Sequence, residues 1–83
     1  MLIEKGCVVK SAYGHDADRF YVVMKLEDDF AFICDGKLRR IEKPKRKNQK
    51  HLKPTKTVLS VEDLTTNNQI RQALRAYNNP QNV

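Results

Sequence analysis

The chain predicts a mainly β fold, a small, strongly bent barrel whose core is completed by one C-terminal α-helix. Three observations predict it. Short β-branched and aromatic runs fill the first two-thirds, turn-forming residues separate them, and an apolar period near 3.6 arises only towards the C-terminus. With 83 residues, 40% of them apolar, there is enough material for one domain and one modest core. A domain of this size buries only about 60% of the surface its unfolded chain exposes, which leaves little room for a deep substrate cavity.

The elements follow in order. Gly6-Cys7-Val8-Val9-Lys10-Ser11 is a β-branched run entered from glycine, and residues 11–18 are turn-rich around Gly14. Phe20-Tyr21-Val22-Val23-Met24-Lys25-Leu26 alternates as a strand does, with Phe20, Val22, Met24 and Leu26 on one face and Tyr21, Val23 and Lys25 on the other. Glu27-Asp28-Asp29 is an acidic turn, after which Phe30, Phe32 and Cys34 share a face of the next strand. Asp35-Gly36 is a favoured two-residue hairpin pair, so residues 38–43 are expected to return as a third meander strand. Its apolar residues, Leu38 and Ile41, are three apart and call for a bulge or twist.

Pro44 ends that strand, and residues 45–50 read as a polar, basic connector. His51-Leu52-Lys53 can form a short closing strand that Pro54 confines to an edge, and residues 57–61 suit either a strand or an extended link. Ile70, Ala73, Leu74 and Tyr77 then fall at i, i+3, i+4 and i+7, with Thr66, Asn67 or Asn68 able to cap the start and Pro80 beyond the end. The expected organisation is a single domain. Residues 1–56 form the barrel with a basic loop at 43–53, and residues 57–83 supply an extended segment and a helix at about 67–77.

Several function classes find no support. The longest apolar runs, residues 20–24 and 30–34, are five residues each, far short of a membrane span, and the start of the sequence lacks a basic-then-apolar leader, so a soluble cytoplasmic protein without membrane contact is expected. Cys7 and Cys34 set no disulfide framework and read as buried thiols. With His15 and His51 they lack the paired spacing of a zinc site, so neither metal nor cofactor is expected. The acidic residues Asp16, Asp18, Asp28 and Asp29 suit solvated turns. No nucleophile elbow and no glycine-rich phosphate loop is present, so neither catalytic residues nor a small-molecule substrate are expected.

Charge is the informative property. Residues 1–36 hold four cations against seven acidic residues, a net −3, and residues 57–83 balance. Residues 37–56 hold ten cations against Glu42 alone, a net +9. Like charge at this density repels itself unless a polyanion lies against it, and nucleic acid is the abundant intracellular polyanion. Lys37, Arg39, Arg40, Lys43, Lys45, Arg46, Lys47, Lys50 and Lys53 can neutralise phosphates, while Tyr13, His15 and His51 are candidates for stacking or sugar contacts. A basic loop merely solvated by water is the plainer alternative.

The run Gly6-x-Val8-Val9-x-Ser11-x-x-Gly14-x-Asp16 followed by Arg19-Phe20-x-Val22-Val23 resembles a KOW motif, the strand–loop–strand unit of several ribosomal proteins and transcription–translation factors. With Asp35-Gly36-Lys37-Leu38-Arg39, Lys43-Pro44-Lys45-x-Lys47-Asn48-x-Lys50-His51-Leu52 and Thr66-Asn67-x-x-Ile70-Arg71-x-Ala73-Leu74, residues 5–77 are similar to a bacterial family of KOW-domain RNA-binding proteins. That family is related to eukaryote- and archaea-type large-subunit ribosomal proteins. The resemblance implies an SH3-like barrel that binds ribosomal or other structured RNA, with the ribosome as a partner. Asp18 stands where such loops usually carry a second glycine and sets a negative charge near the loop tip. SH3-like barrels also serve as protein-interaction modules, the alternative to RNA binding.

Overall fold

A computed structural model describes residues 3–12 and 19–78. The strands are β1 (Cys7–Ser11), β2 (Phe20–Glu27), β3 (Phe30–Cys34), β4 (Lys45–Asn48) and β5 (Leu52–Val58). All ladders are antiparallel, and the order across the sheet is β4-β3-β2-β1-β5. The chain is therefore mainly β, as its alternating runs require.

The curvature of the sheet follows from one connection. Strands β4 and β5 lie at opposite edges, which in a flat sheet stand about 19 Å apart, four spacings of about 4.8 Å. A single 3-10 turn over Gln49–His51 joins them. Even fully stretched, the four steps from Asn48 to Leu52 span about 14 Å. The sheet must curl until its edges approach each other. Among the described residues no ladder joins β4 to β5, so the curl stops short of a closed barrel.

The two faces bury separate clusters. Cys7, Val9, Tyr21, Val23, Ala31, Ile33 and Leu52 pack together with Ile3 on the face that the curl itself covers. Val8, Val22 and Cys34 form the other, against Leu64, Ile70 and Leu74 from the C-terminal segment. The register slips between Val23 and Lys25, where Met24 is the additional residue. Strict alternation would set Leu26 beside Phe20, Val22 and Met24. The bulge reverses the parity, and Leu26 packs instead against the Tyr21 and Val23 cluster.

The C-terminal stripe docks as its spacing predicts, with Ala73 and Tyr77 flanking Ile70 and Leu74. Thr66 caps α1 (Asn67–Ala73) in a reciprocal box: its hydroxyl accepts from Gln69 N, and the Gln69 amide accepts from Thr66 N. The expected single helix is divided at Leu74, and α2 (Arg75–Asn78) follows. Asn78 then holds the start of β2 like a further strand. Its Oδ1 accepts from Phe20 N at 2.8 Å and its Nδ2 donates to Phe20 O at 2.9 Å.

The acidic turn forms where it is expected, as a tight hairpin at Asp28-Asp29, where Asp28 takes a φ of 54° and Glu27 pairs with Phe30. The chain after β3 departs from expectation. Asp35-Gly36 opens a loop over residues 35–44, and residues 38–43 form no strand. Ile41 turns to the helix cluster and Leu38 is exposed, so the two apolar residues do not share a face and no bulged strand is needed to bring them together. The edge strand is instead Lys45–Asn48, within the presumed connector, paired from Ile33↔Lys45 to Phe30↔Asn48. His51 lies in the turn, whereas Pro54 sits in an edge strand as expected.

Both cysteines are free and buried. Burial, with Asp35 and Glu42 nearby, pushes the Cys34 thiol up to about 11. Above pH 9 an unfolded Cys34 ionises while the folded thiol does not, so folding stability falls as pH rises from about 9 to 11. Urea denaturation across that range should show a steeper decline for wild type than for Cys34→Ala; equal slopes would contradict the assignment.

Candidate nucleic-acid interface

The basic segment acquires its shape from a buried carboxylate. The Asp35 side chain, fully withdrawn from solvent, accepts from Lys37 N at 2.9 Å, Arg39 N at 2.8 Å and Arg19 Nη2 at 3.1 Å. The Asp35 and Gly36 N–H groups both donate to Arg39 O, at 2.9 and 3.0 Å. Short polar side chains that bond backbone two residues ahead favour such turns over a hairpin. Gly36 adopts a φ of 79°, and a Cβ there would collide with the carbonyl oxygen of Asn67. The loop is thereby seated on α1.

Further bonds from α1 complete the anchorage. Arg71 donates to Gly36 O at 2.8 Å, and the buried Asn67 accepts from Ile41 N at 2.7 Å. The Asn67 amide also donates to both oxygens of Glu42, at 2.9 and 3.2 Å. These bonds, with the backbone N–H of Glu42 and the nearby Arg40, hold the Glu42 carboxyl below its ordinary range. The one acidic residue of the segment is thus committed to fastening the loop.

Around this loop lie two basic depressions. A shallow cleft of about 390 Å³ is lined by Arg39, Arg40, Lys43, Lys45 and Arg46 together with Leu38 and Pro44. A second, of about 490 Å³, brings Lys37 together with Arg19, Arg71 and Arg75, around Asp35. Arg71 and Arg75 come from the helical segment and Arg19 from the residue before β2. The i, i+4 spacing of Arg71 and Arg75 on the polar side of the stripe was the available signal.

The remaining predicted cations follow the curl. Lys45, Arg46 and Lys47 lie along β4, Lys50 and His51 in the linking turn, and Lys53 on β5. The turn is tied down by Gln49 N bonding to Asp29 O at 2.9 Å and by Asn48 Oδ1 accepting from Lys50 N at 3.0 Å. The two edges bordering the open seam are therefore both cationic. Lys53 stands directly opposite Lys10 in the β1–β5 ladder, a like-charge pair that costs free energy unless an anion screens it. Lysines on edge strands also discourage edge-to-edge pairing, so part of this pattern serves solubility. Tyr13, His15 and Asp18 fall outside the described residues.

Two cations lie over aromatic rings of β3, contacts that sequence spacing does not signal. Arg46 lies over the Phe30 ring, 4.2 Å from its centroid, and Lys25 over Phe32 at 5.5 Å. Among the described residues no group of three His, Cys, Asp or Glu side chains is placed to hold a metal ion. No helix there is long and apolar enough to cross a membrane. No family model matches the chain, and no curated protein matches it in sequence.

Removing the Asp35 carboxylate should loosen the whole loop. Asp35→Ala is expected to destabilise the fold by about 3 kcal/mol, because several buried donors lose their acceptor together. Asp35→Asn, which retains an acceptor for Lys37 N and Arg39 N, should cost less. Urea denaturation checks both, and an Asp35→Ala variant as stable as wild type would remove the carboxylate from this role.

Proposed function

We propose that this chain is a non-enzymatic, cytoplasmic RNA-binding protein, associated with ribosomes or translation, that grips structured RNA chiefly by its phosphates. The observation that carries the reading is the net +9 of residues 37–56, set on a pinned loop and on the two edges of a curled sheet. A polyanion relieves the mutual repulsion of such cations. Counterion release from its phosphates then supplies most of the affinity. The preference for RNA over other polyanions, and for an SH3-like barrel of KOW type, comes from the sequence resemblance. The meander with a three-residue turn between its edge strands supports that barrel.

The side chains divide by task. Arg40, Lys43 and Arg46 are exposed at the first cleft and are the best placed to meet phosphates. Lys50 in the turn and Lys53 just beyond it, both exposed, extend the contact around the seam. A protein-interaction module would use the same free edges by adding a strand, but lysines and arginines along β4 oppose an ordinary peptide there.

Two measurements test the proposal. If about five phosphates are neutralised, log affinity for RNA should fall against log salt with a slope near −3.5 to −4.5. Reversing Arg40, Lys43 and Arg46 to Glu, at exposed positions, should abolish most binding while the circular dichroism spectrum stays native. Unchanged affinity in that variant would sink the reading, and a protein partner retained after nuclease treatment would favour the interaction module.

A further inference from the structure

We infer that the uncovered end of the helix-bearing sheet face is a stacking surface for unpaired RNA bases, built from Phe30, Phe32 and Arg46; this rests on the RNA-binding reading. Phe30, Phe32 and Cys34 project from one face of β3, but the helical segment covers only part of it. Cys34 is buried with Val8, Val22, Ile70 and Leu74, whereas Phe30 and Phe32 belong to neither core cluster and are only partly buried. A small domain gains little from leaving two phenylalanines at its surface unless something lies on them.

What lies nearest is charge of the sign that a nucleotide needs. Arg46 is 4.2 Å from the Phe30 centroid and is itself exposed, so the ring backs a guanidinium that water or a ligand reaches from the other side. Lys25 covers Phe32 at 5.5 Å, and its ion pair with Glu27, 3.9 Å long between two exposed side chains, restrains it weakly. Unpaired bases stack on aromatic rings and on guanidinium planes alike. Aliphatic stems of lysine and arginine also shield rings from water. This pair differs by its position: Arg46 simultaneously lines the cleft of Arg40, Lys43 and Lys45. A strand whose phosphates occupy that cleft delivers its bases to Arg46, Phe30 and Phe32. Bases inside a duplex are already stacked and cannot be delivered, so the surface selects unpaired nucleotides.

The experiment measures affinities of the full chain for a 12-nucleotide mixed-sequence single-stranded RNA and for a 12-base-pair RNA duplex, by fluorescence anisotropy. Arg46→Lys keeps the charge and discards the plane; Phe30→Leu with Phe32→Leu keeps the bulk and discards the rings. Each should weaken single-strand binding about tenfold and leave the salt slope unchanged; the double leucine variant should alter duplex affinity less than about twofold, and Arg46→Lys should cost the duplex clearly less than the single strand. If the double leucine variant does not fold, Arg46→Lys decides, since that side chain is exposed. Wild-type affinity for the single strand, or equal losses on both RNAs, would overturn the stacking surface while leaving phosphate binding standing. Failure of the wild-type chain to bind either RNA would remove the functional reading and this inference with it.

Discussion

The Asp35 carboxylate is the constraint on which most of the middle of the molecule depends. A charge taken out of water must be paired and fully hydrogen-bonded, and here two backbone N–H groups and one guanidinium meet it. Satisfying them fixes the backbone of residues 35–39 in a turn that a two-residue hairpin could not supply. Once the hairpin is lost, residues 38–43 cannot lie back along β3. The edge of β3 then passes to Lys45–Asn48, and the most basic part of the chain becomes a strand.

The consequence is a division of labour between scaffold and surface. Strands β1 to β3 and the docked helix hold most of the two apolar clusters, and the three strands carry little net charge. The cations collect on β4, on the loop before it and on the link to β5, where the chain borders solvent. Even Glu42 and Asn67 are used to fasten the cationic loop to the helix. The opposed Lys10 and Lys53 mark where this concentration of charge works against the fold.

How far the sequence was legible depended on where each residue's partner lay. Strands β1, β2 and β3 were readable because their β-branched and aromatic runs need only a sheet to bury them. The helix was readable from its own stripe and cap. Strand β4 was not, since Lys, Arg and Asn have little β preference and the element draws its stability from the backbone of β3. Leu26 was misplaced because the Met24 bulge is a property of the pairing between two strands. At the candidate site, counting revealed the cations of residues 37–53. It did not reveal that Arg19, Arg71 and Arg75 join Lys37, or that the helix stops before Phe30 and Phe32. Those facts depend on which segments meet and how far a helix reaches.

The ladder between β1 and β5 imposes an order on events during synthesis. Ser11 pairs with Leu52 and Cys7 with Val58, so more than forty residues must be added after β1 before its partner exists. At roughly 5–20 residues per second, that interval is about 2–8 s. During it, Cys7-Val8-Val9 can pair with β2 on one side only, and its other edge remains open to any strand nearby. The nascent chain is most exposed to mispairing before the basic segment emerges. The arrival of β5, bringing its lysines alongside β1, ends that period.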